Sequence, residues 1–474
     1  TESGVGGVSE VLDVPAVTTV PLGELLTDIR NGLVVEQEKE LPGIPITRIE
    51  TISKGTVDMD RVRYVRDTAG KSLDSFWLRK GDILFSHINS DLHLGKTAIV
   101  PSDAPLLHGM NLLRLRVDSN RLRPKYLHHW LDYCRRTGVF MAIAQHAVNQ
   151  SSLNQKKITS LEVPLRSVGE QDEIVAELEK QFSRLDEAVA NLQRVKANLK
   201  RYKASVLKAA VEGRLVETEA TLARREGRTY ETGEQLLQRI LEERRAKWAG
   251  KRKYREPVNP EMESVSELPE GWAWASPEQV SAGEPYSLAI GPFGSSLKVS
   301  DYKTEGVPLV FVRNIRSGSF GGENTVYVTT DKAAELSAHS VQAGDILVTK
   351  MGDPPGDVCR YPANRPPAVI TADCIKLRVT KLGIDPSFIE YAMASRVVQD
   401  QILGITKGVA QLKVNLANFS SIALPVPPYA EQARIVAEVD RHLSIIREVE
   451  AEVDANLQRS KALRQSILHT SFVA

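Results

Sequence analysis

Asp353-Pro354-Pro355-Gly356 carries three of the four residues with which amino-methyltransferases hold and stack the amino group they methylate. The fourth, a stacking aromatic, is replaced by Gly356, and no glycine-rich cofactor loop precedes the stretch. Gly95-Lys96-Thr97 ends like a phosphate-cradling P-loop. Ser90, however, stands where a glycine would let the backbone approach the phosphates. Asp172-Glu173 has the acidic pair of a helicase box but falls inside a heptad pattern. Asp301-x-Lys303 is the tail of a nuclease motif without its upstream acid. The nine histidines form no H-x-x-x-H or H-E-x-x-H pair. His128 and His129 are adjacent, so on a helix they diverge by about 100°. Cys134, Cys359 and Cys374 are odd in number and lack a C-x-x-C pair, which argues against a disulfide framework and a structural zinc. No catalytic residue and no metal ligand is therefore expected in this chain.

The chemistry that remains is hydrogen bonding from polar loops. In the first half these are Arg48, Thr51, Ser53 and Lys54, then Ser86-His87-Ile88-Asn89-Ser90, then a run from Asn149 to Lys156 that includes Gln150, Ser152 and Asn154. In the second half they are Ser295, Ser296 and Lys298, then Arg313, Asn314 and Arg316, then Lys350, then Lys407 and the run with Gln411 and Lys413. Arg, Lys, Asn and Gln can read base edges, and Ser, Thr and Lys also hold phosphates. Solvated loops would have the same composition. It is the recurrence of such loops in both halves that favours a nucleic-acid surface.

That recurrence is a long internal repeat. GIPITRIETISKG at 43–55 matches GVPLVFVRNIRSG at 306–318, and GDILFS at 81–86 matches GDILVT at 344–349. EQDEIVAELE at 170–179 matches EQARIVAEVD at 431–440. The offsets stay at 261 to 263 residues. Each repeat opens with short β-like runs between Gly, Pro, Asn and Asp turn signals, and helices start at Pro124 and Pro386. This predicts an α+β domain rich in loops.

Each repeat then ends in a long helix. Val175, Leu178, Phe182, Leu185, Val189, Leu192, Val195, Leu199, Tyr202 and Val206 form a seam close to a heptad, with one three-residue slip. The second seam is Val436, Val439, Leu443, Ile446, Val453, Leu457, Leu463 and Ile467. A seam of about 30 residues spans roughly 45 Å, more than one such domain needs, so the helices are expected to pack on each other, antiparallel. Residues 170–187 hold seven acidic and two basic groups, and 194–208 hold six basic and no acidic ones, which suits both the helix dipole and antiparallel pairing.

The 474 residues allow two to four domains at roughly 100–200 residues each. Lys and Arg number 61 and Asp and Glu 60, so no global field attracts a polyanion and any DNA surface must come from local sorting. No apolar run reaches the roughly 20 residues of a membrane span, and Thr1 to Val14 has no signal-peptide pattern. A cytoplasmic protein that has lost its initiator Met or a tag is expected. The boundaries read as an arm at 1–16, a domain at 17–169, a helix at 170–213, a connector at 214–268, a domain at 269–430 and a helix at 431–474. The connector carries a helix over Glu234–Lys247 and a basic end; 214–260 holds 12 basic and 8 acidic residues.

Pro425-Val426-Pro427-Pro428-x-x-Glu431-Gln432-x-x-Ile435-Val436, Leu268-Pro269-Glu270-Gly271-Trp272, Gly291-Pro292-Phe293-Gly294-Ser295-Ser296-Leu297 and both GDIL strings together carry a family resemblance. From about Val17 onward the chain resembles the DNA-specificity subunit of type I restriction–modification systems. The first half departs from the pattern, with Val20-Pro21-Leu22-Gly23-Glu24 at its opening and Pro164-Leu165-Arg166-Ser167-Val168 before its helix. The resemblance implies two target-recognition domains separated by two antiparallel coiled-coil helices in a pseudo-twofold arrangement. Each domain would read one half of a split double-stranded DNA target, and helix length would set the gap. It implies a non-catalytic subunit that binds no cofactor. Two methyltransferase subunits using S-adenosylmethionine, and two motor–nuclease subunits using ATP and Mg, would be its partners. Leu178, Phe182, Leu185, Val189 and Leu192 of one helix, with Val439, Leu443, Ile446 and Val453 of the other, would form the helix surface of that assembly. The competing expectation is a tandem peptide-binding adaptor on a coiled-coil spacer.

Overall fold

In this computed structural model the described residues are 18–473, apart from 69, 104, 149, 250–252, 264, 317, 322–324 and 408–411. The arm at 1–16 thus lies outside them. The chain divides into unit 1, residues 1–193 with 454–474, and unit 2, residues 194–453. Both long helices run through that division: Val168–Val211 and Tyr429–Val473.

Unit 1 is built on a four-stranded antiparallel sheet in the order Leu26–Asn31, Leu113–Val117, Ile83–Phe85, Thr97–Ile99. Unit 2 has the same sheet in the order Leu288–Ile290, Cys374–Leu377, Ile346–Thr349, Val358–Arg360. The inner strands Ile83–Phe85 and Ile346–Thr349 are buried throughout because both of their faces are covered, which explains the unbroken apolar strings Ile83-Leu84-Phe85 and Ile346-Leu347-Val348. Charge is repeated as well. The buried Asp82 carboxylate takes Arg116 through two bonds of 2.7 Å, and the buried Asp345 takes Arg378 at 2.9 and 2.8 Å. Two residues before each of those arginines, Arg114 and Lys376 are buried cations that donate to backbone carbonyls, and Arg114 also pairs with Asp28. The aspartates are 263 residues apart and the cations 262, so the sequence repeat is a structural repeat at single-residue level.

The helices Pro124–Arg136 and Pro386–Ala394 begin at the two prolines that mark them in sequence. They cover the sheets and bury Tyr126, Leu127 and Leu131 in unit 1, and Phe388, Ile389 and Met393 in unit 2. Each core is then completed by the other repeat's long helix. In unit 1, Leu468 and Phe472 enter the core, with Phe472 edge-on to Tyr126 at 5.2 Å. In unit 2, Val206, Leu207, Ala210 and Val211 do the same. Full burial of one such large apolar side chain is worth roughly 1.5–3 kcal/mol, enough to hold a helix end on its domain.

Within each unit the two long helices are antiparallel. In unit 1, Phe182 and Asp186 meet Arg464, and Gln193 lines a cleft with Asp454. In unit 2, Tyr202 meets His442, and Val206 and Ala210 share a core with Val439 and Ile435. Leu178, Phe182, Val439, Ile446 and Val453 are buried, and Leu185, Val189, Leu192 and Leu443 are half-buried. The heptad reading requires correction at three places. Val195, Tyr202 and Leu463 are 40, 46 and 51% exposed. A straight α-helix drifts by about 20° per heptad, and the three-residue step at Leu192–Val195 turns the next residue off the seam. Tyr202 instead turns its hydroxyl to His442 Nδ1 at 2.8 Å, and Arg464, one residue past Leu463, takes the facing position on Phe182.

The connector adds a short helix, Glu219–Glu226, and a second, Gly233–Ala246, one residue earlier than the sequence places it. A capping box of Thr232 and Gln235 starts the latter, and Leu236 and Ile240 bury it in the unit 2 core.

Candidate nucleic-acid interface

Arg48, Ser53 and Asn89 lie around one cavity of about 370 Å³ in unit 1. The turn Ile49–Ile52 sets the first two. Thr51 is buried inside it, accepting the Arg48 N–H and donating to the Arg61 carbonyl, so it shapes the loop and faces no solvent. Ser53 donates to the Glu50 carbonyl and takes a bond from Arg61 at 3.3 Å. Arg48 sits 3.4 Å from Glu50, and exposed Lys54 3.2 Å from Asp58. Asp58 titrates below its usual range because Lys54 hydrogen-bonds it. Asn89 bonds Ser86 at 3.0 Å.

Two residues that the sequence did not offer as DNA contacts complete this cavity, His93 and Lys96. Lys96 donates to the Ser53 carbonyl at 2.8 Å; burial and then Arg135 lower its pKa. Its signal was present in Gly95-Lys96-Thr97, which sequence reasoning weighs only as a nucleotide loop.

A small sheet beside the cavity pairs Ile88–Asn89 with Gln150–Ser152, and that strand with Gln145–Ala147. Gln150 is exposed and Ser152 half-buried. Ser151 lies between them, buried, with Asp91 at 2.5 Å and His146 at 2.8 Å. This is no hydrolytic triad. The serine hydroxyl is spent on the carboxylate, and among the described residues no acid bonds the other nitrogen of His146. Asn154 caps the helix Gln155–Thr159 through the Lys157 N–H.

In unit 2 the candidates lie on three loops. Ser295, Ser296 and Lys298 are exposed, flanked by exposed Phe293 and Val299. Arg313 stacks on Phe311 at 4.1 Å, and Arg316, exposed on the hairpin of Ile315–Arg316 with Ser319–Phe320, turns one guanidinium nitrogen back to the Ile315 carbonyl at 3.1 Å. Lys413 is exposed on a ladder with Met351. Gln411 and Asn149 lie outside the described residues.

Three candidates are removed by their surroundings. His87 is buried, and desolvation lowers it to about 4, so it offers no charge. Asn314 is buried, its oxygen taken by the Phe311 N–H at 2.8 Å and its amide by the Gly321 carbonyl at 3.0 Å. Lys350 is half-buried and donates to the Ala372 carbonyl at 3.1 Å. Local polar spacing reads the same whether a side chain faces solvent or closes its own turn. Among the described residues no group of three His, Cys, Asp or Glu could hold a metal, and no helix is long and apolar enough to cross a membrane.

Comparison with known proteins shows what the chain is similar to. Residues 314–458 match the type I restriction modification DNA specificity domain. Over 451 residues the chain is 28% identical to a Methanocaldococcus jannaschii protein described as the specificity subunit of the MjaX type I restriction enzyme, covering 95% of this chain and 92% of that one. Over nearly its whole length the chain is thus similar to a type I specificity subunit, and its second half matches the family's domain model. The EcoBI specificity subunit of Escherichia coli is 22% identical over 457 residues, covering 94% of this chain and 84% of that one. A chain from a solved type I R-M system shares the fold with a TM-score of 0.62 at 18% identity, covering 96% and 97% of the two chains. Both relatives are described as specificity subunits of type I restriction enzymes.

Unit 1 holds a set of buried, neutral histidines. Burial lowers His87 and His129 to about 4 and His108 to about 3. The unfolded chain, with imidazoles near 6.5, binds more protons below that pH, so the folded unit loses stability as pH falls from about 6.5 to about 4. In unit 2 burial raises the Glu390 and Glu431 carboxyls, which favours the folded form in acid. Unit 1 is therefore expected to open first on acid titration. Peptide-resolved hydrogen exchange at pH 6.5 and 4.5 checks this; equal loss of protection in both units would contradict it.

Proposed function

We propose that this chain reads a bipartite, asymmetric double-stranded DNA target, one half-site per unit, and scaffolds the methyltransferase and motor–nuclease subunits of a type I restriction–modification complex. It binds no cofactor in this reading. S-adenosylmethionine belongs to the methyltransferase partners, and ATP and Mg to the motor partners. The observation that carries the reading is one framework with two side-chain sets. The ladder that presents Asn89 and Ser152 in unit 1 presents Gly352 and Lys413 in unit 2. The Thr97–His128 hydrogen bond of 2.9 Å becomes the Arg360–Glu390 ion pair of 2.6 Å. Reading two different half-sites demands equal backbones with unequal side chains.

Selection of bound duplexes from random-sequence DNA by the full chain, purified with its partner subunits, tests this. Two short motifs at a fixed gap are expected, and one contiguous motif would refute the bipartite reading. Arg313→Ala and Arg316→Ala should each cost about 1–3 kcal/mol and relax the same single half-site. If both variants fold and bind unchanged, this loop is outside the interface. Arg48 and Lys54 are the corresponding bets for the other half-site.

A further inference from the structure

Lys203 lies on the first long helix but belongs to unit 2, where its ammonium lies beside Gly318 of an exposed loop. Leu199, one turn before it, is half-buried, and Val206 and Leu207, one turn after, are in the unit 2 core. Positions three and four apart share a helix face, so Lys203 projects from the face that packs on the domain. It is half-buried, with its nitrogen 3.5 Å from the Cβ position at Gly318. Gly318 is the turn of the hairpin that carries Arg316. A half-buried lysine with its stem packed and its charge at the edge is held in one direction, which a free surface lysine is not. Among the described residues no acid or carbonyl takes that ammonium.

Unit 1 repeats the placement with different chemistry. Arg464 follows Lys203 by 261 residues, and Gly55 precedes Gly318 by 263. Arg464 and Gly55, with Lys54, line one cavity of about 690 Å³. Both units thus place a long-helix cation at the glycine turn of a candidate reading loop, as lysine in one and arginine in the other. What the two share is charge, since the side-chain shapes differ. They also differ in how far that charge is spent. Arg464 is held by Asp186 at 2.8 Å and lies over Phe182 at 4.3 Å, whereas Lys203 has no such partner.

We infer that Lys203 is a DNA-backbone contact: the first long helix supplies it to the reading hairpin of unit 2, where it holds a phosphate beside the base read by Arg316. This rests on the DNA-reading function proposed above. A phosphate contact positions the duplex and carries no sequence information itself. Neutralising one phosphate contributes about 0.9 to the slope of log affinity against log salt.

The test uses Lys203→Met, which keeps the packed stem and removes the charge. The probes are a duplex selected by the unaltered protein, and the same duplex with one half-site scrambled, titrated from 50 to 200 mM KCl, about the range over which such slopes are read. Circular dichroism melts confirm the fold. The expected result is a slope shallower by about 0.9 and a loss of roughly three- to tenfold, equal on both duplexes. Lys203→Arg should restore both. Arg464→Met should change less, its charge being already paired. An unchanged slope with Lys203→Met, where the unaltered protein still selects its duplex, overturns the inference and leaves the DNA reading intact. A loss confined to the selected duplex overturns it too, because Lys203 would then shape the hairpin or read a base. If the unaltered protein selects no sequence, the functional reading falls, and this inference with it.

Discussion

Gly291→Ala is expected to unfold the sheet of unit 2, and Gly32→Ala that of unit 1. At Gly291 a Cβ would lie 2.1 Å from the Thr371 carbonyl oxygen, and at Gly32 1.8 Å from that of Gly109. Both obstacles are backbone, so no rotamer change relieves them. Each glycine follows the edge strand of its four-stranded sheet, where the chain crosses a neighbouring segment too closely for any side chain. The cost should exceed about 4 kcal/mol, the range reserved for changes with an identifiable structural cause. Gly294, three residues on in the same Gly-Pro-Phe-Gly string, has nothing within 4 Å of its Cβ position, so Gly294→Ala should be close to neutral. Peptide-resolved hydrogen exchange distinguishes the outcomes. Gly291→Ala should strip protection from 288–377 while 26–117 stays protected, and Gly32→Ala the reverse. Protection retained in Gly291→Ala would mean that the crossing has slack.

These two glycines mark where the sequence stops being legible. Gly291 stands out in a motif, whereas Gly32 sits in an unremarkable Asn-Gly-Leu, and their offset of 259 falls outside the 261 to 263 of the readable repeat. The opening strands of the repeats differ in composition because their pairing is set by the neighbouring strand, not by their own side chains. The long helices, the proline-started helices and the GDIL strands were readable because periodicity and turn chemistry are local. The candidate interface was readable only as a set of loops. Whether Asn314 closes its own turn or faces a ligand depends on where the chain lies seven residues later, at Gly321. Lys203 and Arg464 gave no loop signal at all, since each comes to its loop from a helix distant in sequence.

The Glu-Gln pair that opens both long helices was readable as a repeated string, but its physical reason is tertiary. Gln171 and Gln432 are fully buried. The Gln171 carbonyl accepts the Arg123 N–H at 2.8 Å, and its amide donates to the carbonyls of Arg121 and Arg166, both at 2.9 Å. Gln432 repeats this with the Asp385 N–H at 2.8 Å and the carbonyls of Gly383 and Pro427 at 3.2 and 3.0 Å. Arg123 and Asp385 are the residues just before the proline-started helices, and Arg166 and Pro427 lie just before the long ones. One side chain therefore ties two helix starts together, and only glutamine supplies both an acceptor and two donors without charge at that reach. Gln171→Leu or Gln432→Leu keeps most of the volume but orphans a buried N–H and two carbonyls. At about 1–3 kcal/mol for each of the three groups left unpaired, the loss should be at least about 3 kcal/mol. It should be confined to one unit: exchange rises over 113–136 in the first variant and over 374–394 in the second. Glu in place of either Gln should fare no better, since a carboxylate keeps the acceptor, turns the two donor bonds into repulsion from carbonyls, and adds a buried charge. Urea titration followed by exchange gives the ordering. If either leucine variant melts with the unaltered chain, the clip is incidental, and the docking of each long helix rests on its apolar face alone.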